Sequence, residues 1–164
     1  MTEVQMQAKL IEFAKQILHK KSLPEGLPLI SKYSKEMIGA DRCSVFIYDE
    51  INREFWTTLA DGVDKLVISA DDGVVGQTMF TKEGIIENDL DMNPNFLYMM
   101  DDKTGYKTKN LITAPIFNDN KEIVGVFELL NKENGFNELD LKYMKFFAKT
   151  LSNFVELVNL YKES

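Results

Sequence analysis

Cysteine is nearly absent. The one present, Cys43, excludes an internal disulfide and any zinc site built from several thiolates. Histidine is equally scarce. His19 stands alone near the end of the first expected helix, which argues against haem ligation and imidazole acid–base chemistry. No apolar run approaches the ~20 residues a membrane helix needs. The opening "MTEVQMQAKL" lacks the basic and apolar regions of a secretory signal. These absences point to a reducing, cytoplasmic compartment. Positive charge is short as well: 19 Lys and Arg face 26 Asp and Glu, a net charge of −7. Nucleic-acid binding needs a concentrated basic surface, so that class is disfavoured. Lys20 and Lys21, in "LHKKS", suit a helix C-terminus better than a phosphate backbone.

What remains is an ordinary globular composition, 45% hydrophobic and 27% charged over 164 residues, enough for one domain with a sizeable core. Residues 3 to 20 carry Met6, Leu10, Phe13 and Ile17 on one helical stripe, with Ile11, Ala14 and Leu18 beside it. Ser22, Pro24, Gly26 and Pro28 are expected to break that helix. A second is expected over roughly 28 to 39, with Pro28 in its first turn and Gly39 past its end.

Strand patterns follow in "RCSVFIYD", "FWTTLA" and "KLVISA", then a short helix from "DGVVGQTMF" and a brief strand in "GIIEN". "DLDMNPNFLYMMDDKTG" reads as an irregular loop around a helical turn. "NLITAPIF" and "EIVGVFELLN" are two longer strands, and a helix runs from about 138 to the end. Short turns between neighbouring strands favour a largely antiparallel sheet with helices at both ends of one α/β domain.

Alternation puts Cys43, Val45 and Ile47 on one sheet face and Ser44, Phe46 and Tyr48 on the other. Val124, Val126, Glu128 and Leu130 should share a face, which sets a carboxylate in an apolar stripe. Burying Glu128 calls for an ion pair, an edge position, or a ligand N–H or hydroxyl in a pocket. The glycines of "DGVVGQ" place backbone N–H groups at a helix start, where an anion can sit. "DLDMNPNFLYMM" begins like a calcium loop with Asp89, Asp91 and Asn93. It has Pro94 where glycine is needed and Met100 where a bidentate glutamate is needed, so no metal is expected. In "LLNKENGFNELD", Asn137 and Asp140 suit a helix cap, while Lys132 and Asp140 suit an ion pair between strand end and helix start.

In order, "CSVF", "DGV", "DGVVGQ", "NPNF", "DDKTGYKTKN", "VGVFELLNK", Phe136 and Asp140 closely resemble the GAF domain. The likeness is strongest to the GAF domains of cyclic-nucleotide phosphodiesterases and bacterial adenylyl cyclases. It implies a GAF/PAS-like α+β fold: a six-stranded antiparallel sheet, terminal helices on one face, and a loop-covered ligand pocket on the other. It also implies a single domain over 1–164 with its core at about 25–160. Residues 1–22 and 138–164 would form the dimer or signalling helices. The expected activity is regulatory, not enzymatic, with no cofactor required and cGMP or cAMP as the possible ligand.

Residues matching the family's pocket positions are Ser44, Asp61, Asp101, Thr104, Thr108 and Glu128, with the backbone of Val74 and Val75 toward the cyclic phosphate. Asn131, Lys132, Phe136 and Asp140 match a structural clamp, although Leu141 replaces the glutamate that ends the family signature. Ala60 and Leu97 stand where an aromatic ring and a tyrosine can meet the base, and Phe96, Tyr98 or Trp56 are the rings left to compensate. An empty pocket, or another small ligand in a dimerisation module, is the alternative. On the last helix Met144, Phe147, Leu151, Phe154, Val158 and Tyr161 resemble a coiled-coil seam. It suits either a homodimer through the terminal helices or cover by the N-terminal helix. A longer protein would add an output domain.

Overall fold

A computed structural model describes residues 1–60, 67–90 and 105–163, with the backbone alone for 58–60, 159 and 161–163. Helix α1 is Glu3–Ile17. It opens on a capping box in which the Thr2 hydroxyl accepts Gln5 N–H and the Gln5 side chain accepts Thr2 N–H. It stops earlier than its pattern predicts, because His19 and Lys20 N–H groups fold back three residues to Gln16 and Ile17 carbonyls. Phe13 is buried completely, whereas Ile11 and Leu18 stand 58% and 81% exposed instead of flanking the core.

Helix α2, Leu23–Ile38, starts five residues before Pro28. Pro24 occupies its first turn, where a missing N–H costs nothing, and Pro28 lies inside the helix. Glu25 closes the start by accepting Lys21 N–H at 2.8 Å. Gly26 is there for packing: a Cβ at that position would lie 2.9 Å from the Phe154 ring. Gly39 ends the helix in the left-handed region, φ 89°, as its position suggests.

The strands are β1 Ala40–Asp49, β2 Glu54–Ala60, β3 Val67–Ser69, β4 Ile85–Glu87, β5 Leu111–Phe117 and β6 Ile123–Lys132. They form one antiparallel sheet in the order β3-β2-β1-β6-β5-β4. Helix α3, Gly73–Thr81, and helix α4, Glu138–Glu163, complete the described elements.

Helices α1, α2 and α4 cover one face, where Cys43, Val45, Ile47, Ile112, Phe127 and Leu129 meet Phe13, Ile30 and Phe147. The opposite face carries two smaller apolar clusters under α3. Val124 departs from its expected side. The register shifts between Ile116 and Phe117, and the extra residue in β6 turns Val124 toward the helix layer while Val126 and Leu130 stay on the α3 side. The first four residues of the α4 seam are also internal. Met144, Phe147, Leu151 and Phe154 all lie in the chain's own core, so they are not a surface for a partner. Among the described residues, no helix is long and apolar enough to cross a membrane.

Candidate functional site

Three polar side chains line up across the centre of the sheet on the α3 side. Ser44 of β1 pairs with Glu128 of β6, and Glu128 pairs with Thr113 of β5. All three are buried, Glu128 at 6% exposure. The row separates the two apolar clusters. Phe46 and Val126 lie on one side, Leu111 and Leu130 on the other. Period-2 geometry makes this unavoidable: along β6, Val126, Glu128 and Leu130 point the same way.

Helix α3 sits over the row. Its consecutive residues Val74 and Val75 pack into opposite clusters, so its first turn straddles the polar strip. Asp72 at the N-cap makes no side-chain cap bond. Further along, the Thr78 hydroxyl donates to Val74 O at 2.9 Å. Thr78 has spent its proton there, so the 2.6 Å contact with Thr113 makes Thr113 the donor. Thr113 in turn accepts Ile85 N–H at 3.1 Å. This buried chain fixes α3 and β4 to β5.

The segment leading into β5 is held by β6. Asn131, left-handed at φ 58°, accepts N–H groups of Lys109 (2.7 Å) and Asn110 (3.2 Å). Its amide nitrogen donates to Tyr106 Oη and Lys107 O. Asn110 returns the favour, bonding both Lys132 O and Lys132 N–H. Thr108, buried, lies on this tethered stretch. Tyr106 Oη donates to Asp41 at 2.6 Å, and the Arg42 guanidinium stacks 3.7 Å from its ring centre. Burial, then the bond to Asp41, pushes the Tyr106 phenol above the ordinary tyrosine range.

At the other end, Asn88 grips the β6–α4 turn by giving a proton to Phe136 O (3.0 Å) and accepting Phe136 N–H (2.8 Å). One residue set, 131 to 140, thus ties together the chain on both sides of residues 91–104 and the start of α4.

Of the residues predicted from sequence, Ser44 and Glu128 are cross-strand neighbours, Val74 and Val75 lie above their row, and Thr108 sits on the segment bound to Asn131. Asp61, Asp101 and Thr104 lie outside the described residues, as do Phe96, Leu97 and Tyr98. Trp56 is corrected: it pairs with Ile47 and packs into the helix-side core, so its ring cannot stack on a base in the pocket. Cys43 is buried on that same helix side. Asn110 closes the "DDKTGYKTKN" stretch that carries the family resemblance, whereas Thr78, Thr113, Asn88 and Tyr106 are not among the expected site residues. Thr113 carried a signal, as a polar residue inside the apolar run "NLITAPIF". Thr78, Asn88 and Tyr106 carry no signal of their own, because their partners lie far away in sequence or on the backbone.

Comparison with known proteins gives the fold a family. The cGMP-specific 3',5'-cyclic phosphodiesterase of Drosophila virilis is 34% identical over 101 residues, 58% of this chain but only 11% of that enzyme's length. The GAF domain of a phosphoenolpyruvate-protein phosphotransferase from Coxiella burnetii superposes with a TM-score of 0.84 at 19% identity, covering 97% of both chains. Free methionine-R-sulfoxide reductase from Neisseria meningitidis, solved with its substrate, gives a TM-score of 0.76 at 19% identity, over 92% of this chain and 88% of the other. At such identities the structures speak for the fold alone. The GAF domain profile matches residues 23–155, and the chain belongs to the GAF domain family.

Proposed function

We propose that this chain is a non-catalytic regulatory module that holds a cyclic nucleotide, cGMP or cAMP, between α3 and the sheet and signals through paired terminal helices. The family is one of regulatory and sensory modules that bind small ligands and often dimerise. What carries the nucleotide reading is the buried row Ser44–Glu128–Thr113 beneath the uncapped start of α3. A carboxylate and a hydroxyl suit the N–H and amino groups of a purine. Backbone N–H groups at a helix start suit a cyclic phosphate. The relative in Drosophila virilis supports the same class of ligand.

Bond-making chemistry has little to work with. The reductase from Neisseria meningitidis shares the fold, yet the lone thiol here is buried on the far side of the sheet. One observation favours a second reading, a sensing module for a different small molecule. Trp56 turns away, and Ala60 offers no ring, so stacking worth about 1–3 kcal/mol is missing from β2.

Calorimetric titration with cGMP and with cAMP separates the two. Binding by either, weakened at least tenfold by Glu128→Ala or Thr108→Ala, supports the nucleotide. No heat and no thermal shift at millimolar nucleotide would transfer the assignment to the second reading.

A further inference from the structure

Strand β4 is shorter than the strand it borders. It pairs with Leu111, Ile112 and Thr113 of β5, and among the described residues no strand lies outside residues 114–117. Helix α4 runs alongside that bare edge, and a cleft of about 720 Å³ opens between them. Both ends of the cleft are fixed. At one, Leu141 presses on Gly84, where a Cβ would lie 2.5 Å from Leu141 Cδ1 and 2.8 Å from Thr113 O. At the other, the Ser152 hydroxyl donates to Phe117 O. Between them the strand side is apolar, formed by buried Pro115 and by Phe117, which is 36% exposed.

The helix side is positive. Lys145 and Lys149 stand one turn apart on α4, exposed, and both line the cleft. Neither has a carboxylate three or four residues away on the helix, and neither is ion-paired among the described residues. The remaining charges sit at the ends. Lys82 and Glu83 offset each other beside Gly84, and Asp119 lies in the turn past Phe117. The middle of the cleft therefore presents two uncompensated cations opposite an apolar wall, in a chain of net −7.

We infer that this cleft binds an acidic segment of a partner protein, lying extended, with an apolar side chain between two carboxylates. Spacing sets that pattern. Residues four apart on a helix are separated by about 6 Å along its axis, and alternate residues of an extended chain by about 6.6 Å. Carboxylates two residues apart can thus meet Lys145 and Lys149 together, while the residue between them turns to Pro115 and Phe117. Simple strand addition fits less well. The bond from Asn131 N–H to Asn110 O sets the alternation along β5, so residues 111, 113 and 115 direct their backbone groups outward. Pro115 has no N–H to give there, which closes this edge to a second sheet and leaves recognition to side chains. The inference stands apart from the nucleotide reading, since the cleft lies outside the row beneath α3.

Fluorescence anisotropy tests it, using a labelled peptide of alternating aspartate and leucine about five residues long, the extended length of the cleft. Binding at or below millimolar concentration is expected, weakening as salt rises. Reversing both charges, Lys145→Glu with Lys149→Glu, should weaken it about tenfold or more. The same double variant should gain binding to the matching peptide with lysine in place of aspartate. These side chains are exposed, so an unchanged melting temperature is expected and shows that the fold is kept. Lys142→Glu, on α4 but outside the cleft, should leave the affinity unchanged. Equal weakening by Lys142→Glu would mean a general attraction to the helix and would overturn the site. So would an acidic peptide that fails to bind at millimolar concentration, or a double variant whose preference does not switch. No nucleotide is added, so these failures leave the reading of the α3 site where it was.

Discussion

Lys132 Nζ meets Asp140 Oδ2 at 2.6 Å, and the same oxygen accepts the N–H of Asn137 at 2.9 Å. Asn137 completes the exchange by accepting Asp140 N–H at 2.9 Å. The carboxylate is therefore both half of a reciprocal helix cap and the anion of a partly buried ion pair. Its side chain is 7% exposed, that of Lys132 22%.

Lys132→Ala leaves a buried carboxylate without its cation, which should cost about 3 kcal/mol. Asp140→Ala removes the pair and the acceptor for Asn137 N–H, leaves Asn137 capping the helix through the backbone N–H of residue 140, and should cost about 3 kcal/mol as well. The double variant should be less destabilised than the sum by at least ~1 kcal/mol, because the pair can be lost only once. Urea unfolding of the four proteins measures this. Additive losses would reduce Asp140 to a cap.

Asn131 holds the return segment. Asn131→Ala takes away the acceptor for Lys109 and Asn110 N–H groups and also places a Cβ-bearing residue of poorer left-handed tolerance at φ 58°. A loss of roughly 2–3 kcal/mol is expected. Hydrogen exchange should speed up at Lys109 and Asn110 first. Asn131→Gly, which relaxes the backbone but lacks the amide, should recover stability only in part.

Much of this architecture was legible beforehand, for a physical reason. "CSVFIYD" is apolar at nearly every position because one face meets helices and the other α3, and that continuous β-branched and aromatic run is itself the signal of a strand covered on both sides. Lys132 and Asp140 lie eight residues apart, close enough for local sequence to suggest both a cap and a pair. Val124 defeated strand alternation because a bulge depends on the partner strand, which a strand's own sequence does not contain. Helix α2 starts ahead of Pro28 although Pro28 is a good first-turn residue, because Pro24 already fills that role and nothing local to Pro28 reveals it. The α4 seam has the spacing of a coiled coil, yet its residues pack in the chain's own core with α2 and the sheet, and spacing alone does not tell an internal partner from a second chain. Asn88, 48 residues from Phe136, belongs to the site only through folding.

Tyr106 makes stability depend on alkali. An unfolded tyrosine releases its proton near 10.0, and the folded Tyr106 does so at higher pH. Between those values the native state holds more protons, so raising the pH through that window draws the chain toward unfolding. Denaturation midpoints should therefore fall above about pH 10. In Tyr106→Phe the fall should be shallower but not abolished, because burial also raises Tyr33. An unchanged slope would show that the phenol titrates freely.

Thr113 sets α3 against the sheet. Thr113→Val keeps the shape but removes the donor to Thr78 and the acceptor for Ile85 N–H. Thr78 retains its bond to Val74 O, so the exposed deficit is one buried N–H and one lone pair, about 1–3 kcal/mol. Thr113→Ser, which restores the hydroxyl, should recover most of that loss. The damage should also be directional. Amide exchange should accelerate in α3 and at Ile85, because those are the groups the hydroxyl joins, while the α2–α4 layer on the opposite face keeps its protection. Uniform loss of protection across both faces would instead mean that Thr113 matters only as filling, and that the hydrogen-bonded chain from β4 to α3 does not position the helix.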